Sequence, residues 1–215
     1  MQLLQKLTDP AVAIYHISDT LQLGETMAQD FKKNMELVIP FVQALQRSED
    51  CFYAMLLNAK LLKSVLGKFG MRDMQTNYVK WATEGIFEYI RLTEFPKSYS
   101  RMRSNYFYDN LADIRRLYEV DWNMAEKAER FNFHVYEIEV EDEVPQKRDM
   151  LLFDEAFDAM WDNDDIHTAM DCARRYFSEE HTAAPVWEIM SDKPAKAVRD
   201  ITFILNPESN SIFTP

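Results

Sequence analysis

Glycine is what this chain lacks. Four glycines (Gly24, Gly67, Gly70 and Gly85) serve 215 residues, roughly a quarter of what the usual frequency of about 7% would supply. Sites that wrap backbone amides around a phosphate need clustered glycines, because only a residue without Cβ lets the main chain come so close. Four scattered glycines make no G-x-G-x-x-G, no Walker loop and no G-x-S-x-G elbow. The same shortage, with twelve Met among many Leu, Ala, Glu and Lys, favours helix. The expected fold is therefore mainly α: a multi-helix globular domain of about six to eight helices, with a minor β element near residues 132–141. A hydrophobic fraction of 47% suits a packed core rather than a disordered acidic chain. Residues 1–205 read as one predominantly helical domain and 206–215 as an irregular tail.

Apolar spacing places the elements. Asp9-Pro10 reads as a helix start running to Leu23 and stopping at Gly24. A second helix begins near Glu25, and Pro40 is expected to kink or split it. Ser48-Glu49-Asp50 caps a third, in which Phe52, Leu56, Leu57 and Leu61 make a stripe broad enough for burial on more than one side. A fourth covers about 73–92, with Gly85 inside its apolar face as a point of close helix crossing. The connector 97–108 interleaves Arg101 and Arg103 with aromatics. Single-strand nucleic-acid surfaces do this, but two Arg more simply pack against the aromatics and pair with acids. A helix over 109–130 follows, and then an alternating strand at 133–141. Helices are expected from Leu152 to Trp161 and from Asp164 or Asp165 to Phe177, then a short turn at 186–190. Residues 195–205 have helical spacing through Val198, Ile201 and Leu205, but 201–205 could equally be a strand pairing with 133–140, since a lone strand is not viable.

Charge is stored in one place. The window 137–165 holds twelve acidic residues against Lys147 and Arg148, so it carries −10 of the total −12. Glu137, Glu139 and Glu141 alternate with Tyr136, Ile138 and Val140, which puts the acids on one face of a strand. Asp154, Asp158, Asp162 and Asp165 then run along a helix opposite an apolar stripe, where like charges at i, i+4 repel. The reading favoured by this pattern is a non-catalytic adaptor, inhibitor or chaperone-like protein. Glu137, Glu139, Glu141, Asp154, Asp158, Asp162 and Asp165 would dock a basic protein partner, with nucleic-acid charge mimicry as one specific form. Tyr136, Phe153, Phe157 and Trp161 are candidates for core or for an apolar anchor. The competing bland reading is a solvated, solubilising face.

Two alternatives accompany it. Asp164, His167 and Asp171 fall at i, i+3 and i+7 and could present two carboxylates and an imidazole to a metal in a helical enzyme. Asp164-x-x-His167 is, however, the only acid-x-x-His pair in this region. The other alternative is self-assembly, with the acidic window meeting the basic stretch 60–116, which holds eleven basic and six acidic residues. No motif calls for a cofactor, and no catalytic residue is nominated. Two cysteines far apart, Cys51 and Cys172, suit a reducing compartment. With no signal-like N-terminus and no apolar run of membrane-spanning length, a cytoplasmic protein that leaves membranes alone is expected. A sequence pI near 4.8 argues against direct nucleic-acid binding.

Overall fold

A computed structural model describes residues 13–27, 31–67, 74–121, 132–141 and 145–205. The expectation of a mainly α chain with one minor β element is overturned. The described residues form two three-stranded antiparallel sheets packed with six α-helices, a mixed α/β architecture. The first sheet has the order β1-β3-β6, from β1 (Ile14–Ser18), β3 (His134–Val140) and β6 (Ala195–Asp200). The second has the order β2-β5-β4, from β2 (Asn105–Phe107), β5 (Trp187–Ser191) and β4 (Gln146–Asp149). The chain crosses between the sheets repeatedly. Backbone bonds join them directly: Tyr15 N–H donates to the Tyr108 carbonyl at 2.7 Å, and Tyr108 N–H returns to Tyr15 at 2.9 Å.

The errors in the sequence reading share one physical cause. Ile14, Tyr15 and Ile17 fit a helical or an extended spacing, and pairing with Ile138, Glu137 and Val135 decides for the strand. The first part of the expected helix at 9–23 lies outside the described residues. Trp187 to Ser191, expected as a turn, is the central strand of its sheet. It is buried over Glu188, Ile189, Met190 and Ser191, so it shows no alternation to read. The strand that pairs with β3 is β6 at 195–200, where helical spacing was expected, whereas 201–205, weighed as that strand, holds the 3-10 turn Thr202–Leu205. The long helix expected over 109–130 is α4 (Leu111–Arg116) followed by a π-helical turn (Leu117–Asp121). Beyond that turn, 122–131 lies outside the described residues, as does the tail 206–215.

The helices are nearer to expectation. They are α1 (Lys32–Arg47), α2 (Glu49–Gly67), α3 (Met74–Glu94), α5 (Leu151–Asn163) and α6 (Ile166–Phe177). Pro40 does not split α1. It sits on the exposed side, where the carbonyl it leaves unbonded meets water, while Val38, Phe41, Val42 and Leu45 hold the opposite side in the core. Within α2 only part of the broad stripe is covered: Phe52 and Leu56 are buried, whereas Leu57 and Leu61 are exposed. Central to the packing is α3. Its Ile86, Phe87 and Ile90 share one core with Phe41 of α1, Phe52 of α2, Phe153 of α5 and Tyr176 of α6, and Met190 joins that core to the second sheet.

Gly85 allows α1 and α3 to meet. A Cβ there would lie 2.5 Å from Phe41 Cβ, an atom fixed to backbone and unable to swing away. Gly85→Ala is therefore expected to destabilise the fold, the overpacking cost of about 1–3 kcal/mol exceeding the helix-propensity gain of about 1 kcal/mol. Urea unfolding checks it, and a variant as stable as wild type would mean that the crossing is not close-packed.

Candidate functional site

The helical layer and the two sheets do not close completely on one another. Between them lies a cavity of about 440 Å³, walled by His16 of β1, Trp81 and Glu84 of α3, Arg101, Tyr106 of β2 and Glu188 of β5. Phe153 of α5 and Tyr108 complete its apolar lining, and exposed Asn34, Lys80 and Asp154 stand at the solvent side.

Arg101 organises the interior. It sits on a 3-10 turn (Arg101–Arg103) between α3 and β2, and the turn folds inward because Ser100 caps it, accepting from Met102 N–H at 3.2 Å. Arg101 is only 7% exposed, with Glu84 at 2% and Glu188 at 3%. Nε donates to Glu84 at 3.0 Å, and Nη1 donates to the Tyr176 hydroxyl at 2.7 Å and also to Glu188 Oε1. Tyr176 in turn donates to the same Glu188 oxygen at 2.6 Å. Aromatic faces surround the cation, the Phe153 ring centre lying 4.2 Å away and those of Tyr176 and Tyr106 at 5.1 and 5.3 Å. Tyr106 holds the turn from the far side, its hydroxyl donating to the Arg101 carbonyl at 2.6 Å.

One guanidinium thus serves two carboxylates. Burial pushes the Glu84 carboxyl up, and the nearby Arg101 and Lys80 only partly counter it. Burial alone would lower Arg101, but Glu188 and Glu84 more than offset this and keep it charged. Tyr106, Tyr108 and Tyr176 are all pushed up by burial, so their phenols stay protonated, and those of Tyr106 and Tyr176 donate. His16 is lowered by burial and is neutral at pH 7. Its Nδ1 is 2.8 Å from the Tyr106 carbonyl, an acceptor, which places the proton on Nδ1 and leaves Nε2 as a lone pair. Among the described residues the hydrogen bonds to Glu188 fall on Oε1. The cavity therefore offers Glu188 Oε2, a neutral imidazole and aromatic walls.

Of the residues singled out from sequence, Asp154 reaches only the rim, Phe153 is a buried part of the wall, and Arg101 packs against aromatics and pairs with acids as its connector was expected to do. The nominated acids are dispersed. Glu137 pairs with Arg199 across β3 and β6, and Glu139 stands opposite Lys196. Glu141 begins the next loop, its N–H bonded to the Pro194 carbonyl at 3.0 Å. Asp165 caps α6, and the Thr168 N–H and hydroxyl hold its carboxyl below the usual range. Asp158 and Asp162 are exposed on α5. Asp149, unremarked in the sequence, is wholly buried and accepts from Leu151, Thr182 and Val186.

The metal candidates do not converge. Asp164 is the left-handed residue that ends α5 and pairs with Lys60; His167 lies 3.6 Å from Glu49; Asp171 is exposed on the side of α6. No three such ligands cluster among the described residues. The basic stretch 60–116 is not one surface either, because Arg101 is core and Arg91 is bound to Glu88. In its Arg–aromatic connector, Arg101 packs against aromatics and pairs with acids of this chain, while Arg103 is exposed. Among the described residues no helix is long and apolar enough to cross a membrane. A signal for the real cavity was present: Glu84 and Glu88 interrupt the apolar face of α3, and Glu188 sits inside Val186–Met190. Acids that deep in apolar runs are rarely buried unless paired.

Replacing Arg101 by Met should leave Glu84 and Glu188 buried without their cation, a loss of about 3–5 kcal/mol typical of a broken buried pair. The loss should shrink as pH falls, since the folded variant takes up a proton at Glu84 more readily than the unfolded chain does. Urea midpoints at pH 7 and pH 5 test this; equal losses at both would show that Glu84 is not strained by the lost cation.

No curated protein sequence matches the chain. A family model described as "Protein of unknown function (DUF2441)" matches residues 14–203, from β1 into the start of the final 3-10 turn, and the chain belongs to that family.

Proposed function

We propose that the cavity binds a small molecule carrying a planar, positively charged group, and that Glu188 stabilises that charge. The observation that supports this is the imbalance at Arg101: two carboxylates share one guanidinium, so the buried wall is anionic on balance and Glu188 keeps an oxygen for a ligand. An anionic ligand meets no spare interior cation. A planar cation gains from the carboxylate and from aromatic faces at once. A cavity of about 440 Å³ is in the range of small-molecule sites.

The same arrangement suits group transfer or hydrolysis at a carbon that becomes electron-poor as its bond to a leaving group breaks. A fixed carboxylate in a low-dielectric wall stabilises such a centre without reorganising. Arg101 and Tyr176 hold Glu188 from behind. Neutral His16, with its Nε2 lone pair, is the group suited to accept a proton from an incoming nucleophile.

Calorimetry with N-alkylpyridinium compounds and their neutral isosteres tests the reading. The cations should bind better, and Glu188→Gln should remove about tenfold or more of that preference, the scale of a charge-assisted hydrogen bond. Equal binding of cations and neutral isosteres, or preference for an anionic analogue, would sink it.

Docking of a basic partner through the acidic window is a second reading, and one feature favours it. Trp161 is 42% exposed and stacks on Phe157 with its ring centre 6.0 Å away, and Asp158 and Asp162 flank it on α5. Tyr136 and Phe153 are buried and do not serve as anchors. If this patch docks a partner, Trp161→Ala with Asp158→Asn and Asp162→Asn should release at low salt a protein that wild type holds until high salt. Identical retention by both would remove the reading.

A further inference from the structure

Behind Arg101 lies a second buried charge that the cavity itself does not expose. Glu88 follows Glu84 by one turn of α3 and is 4% exposed. Its carboxylate accepts from Arg91 Nε at 2.9 Å and Nη2 at 2.8 Å, so its charge is balanced on its own helix. It also accepts from the Ser100 hydroxyl at 2.9 Å. That hydroxyl oxygen in turn caps the turn through Met102 N–H, while the Ser104 hydroxyl donates to the Ser100 carbonyl at 2.9 Å. Arg91 Nη1 reaches the Ser98 carbonyl at 3.2 Å, which ties down the approach to the same turn. Successive turns of α3 thus grip successive residues: Glu88 takes the hydroxyl of Ser100, and Glu84 takes the guanidinium of Arg101.

We propose that Glu88 and Ser100 are positioning residues for the cavity: through the turn they set where Arg101 stands, and through Arg101 they set how Glu188 faces a ligand. The ligand part of this rests on the planar-cation reading above. A 3-10 turn of three residues has few hydrogen bonds of its own, so its geometry is borrowed from what holds it. Arg101 has long side-chain freedom, and Glu84, Tyr176 and Glu188 determine where its head goes only if its backbone is already placed. Glu88 supplies that placement without adding net charge near the cavity, because Arg91 neutralises it. A paired carboxylate here is thus an anchor rather than a second ligand group.

The test reads Arg101 directly. In full-length protein, hydrogen exchange of the Arg101 Nε–H is followed by NMR for wild type, Ser100→Ala and Ser100→Thr, beside calorimetry with an N-alkylpyridinium probe. Ser100→Ala should speed the exchange about tenfold, the factor given by loss of one ordinary hydrogen bond. It should weaken the cation by a similar factor, and Ser100→Thr, which keeps the hydroxyl, should restore both. Should Ser100→Ala fail to fold, Glu88→Gln replaces it, with faster exchange expected once the charged acceptor is gone. Unchanged exchange in the variant overturns the proposal, as does an equal speeding in Ser100→Thr. Faster exchange with unchanged probe affinity overturns its ligand part. If wild type binds no cation at all, the reading of the cavity fails, while the exchange rates still decide whether Glu88 and Ser100 place Arg101.

Discussion

The buried guanidinium of Arg101 is the contact on which the assembly turns. It joins α3 through Glu84, α6 through Tyr176 and β5 through Glu188, three elements far apart in the chain. Taking a cation and two carboxylates out of water is costly, and the bonds that Arg101 and Tyr176 make to these acids offset that cost. The cost also enforces specificity: a packing that moved any one of these elements would leave a charge buried alone. Hydrophobic clusters on either side of the network could tolerate small shifts. The ion network could not.

That constraint explains why a cavity persists at the junction. The helical core and the sheet cores are separate clusters, and they meet where Arg101, Glu84 and Glu188 converge with Tyr106 and His16. Apolar side chains would close such a seam, whereas charged groups held by fixed partners keep their shape around a gap. Stability and a ligand-sized space are products of the same interactions. The proposed chemistry follows from it, since the groups that hold the layers together also line the space between them.

The charged surface has a different character. Much of the acidic window is used within the molecule: Glu137 with Arg199, Asp149 at the head of α5, Glu155 with Arg175, Asp164 with Lys60 and Asp165 as a cap. A strong local charge in sequence therefore became several separate local functions in space. Among the described residues, Glu139, Glu141, Asp154, Asp158 and Asp162 stand exposed, with Trp161 beside the last two.

Helices with long one-sided apolar spacing were legible in the sequence. So were the close crossing at Gly85, the strand at β3 and the cap at Asp165, because each depends on residues within a few positions of one another. The strands β1, β2, β4, β5 and β6 were not legible. Short extended segments take their hydrogen bonds from distant partners, and a strand buried on both faces loses the alternation that announces it. The acids that interrupt apolar runs in α3 and β5 signalled buried pairing, but not the cavity or the partners that meet there. His16, Glu84, Arg101, Tyr106 and Glu188 span most of the chain, and local spacing gives no sign that they meet. Sequence alone determined where charge and apolar surface lie along the chain. Tertiary structure decided which charges would be buried together, because burial and pairing are properties of what arrives from elsewhere.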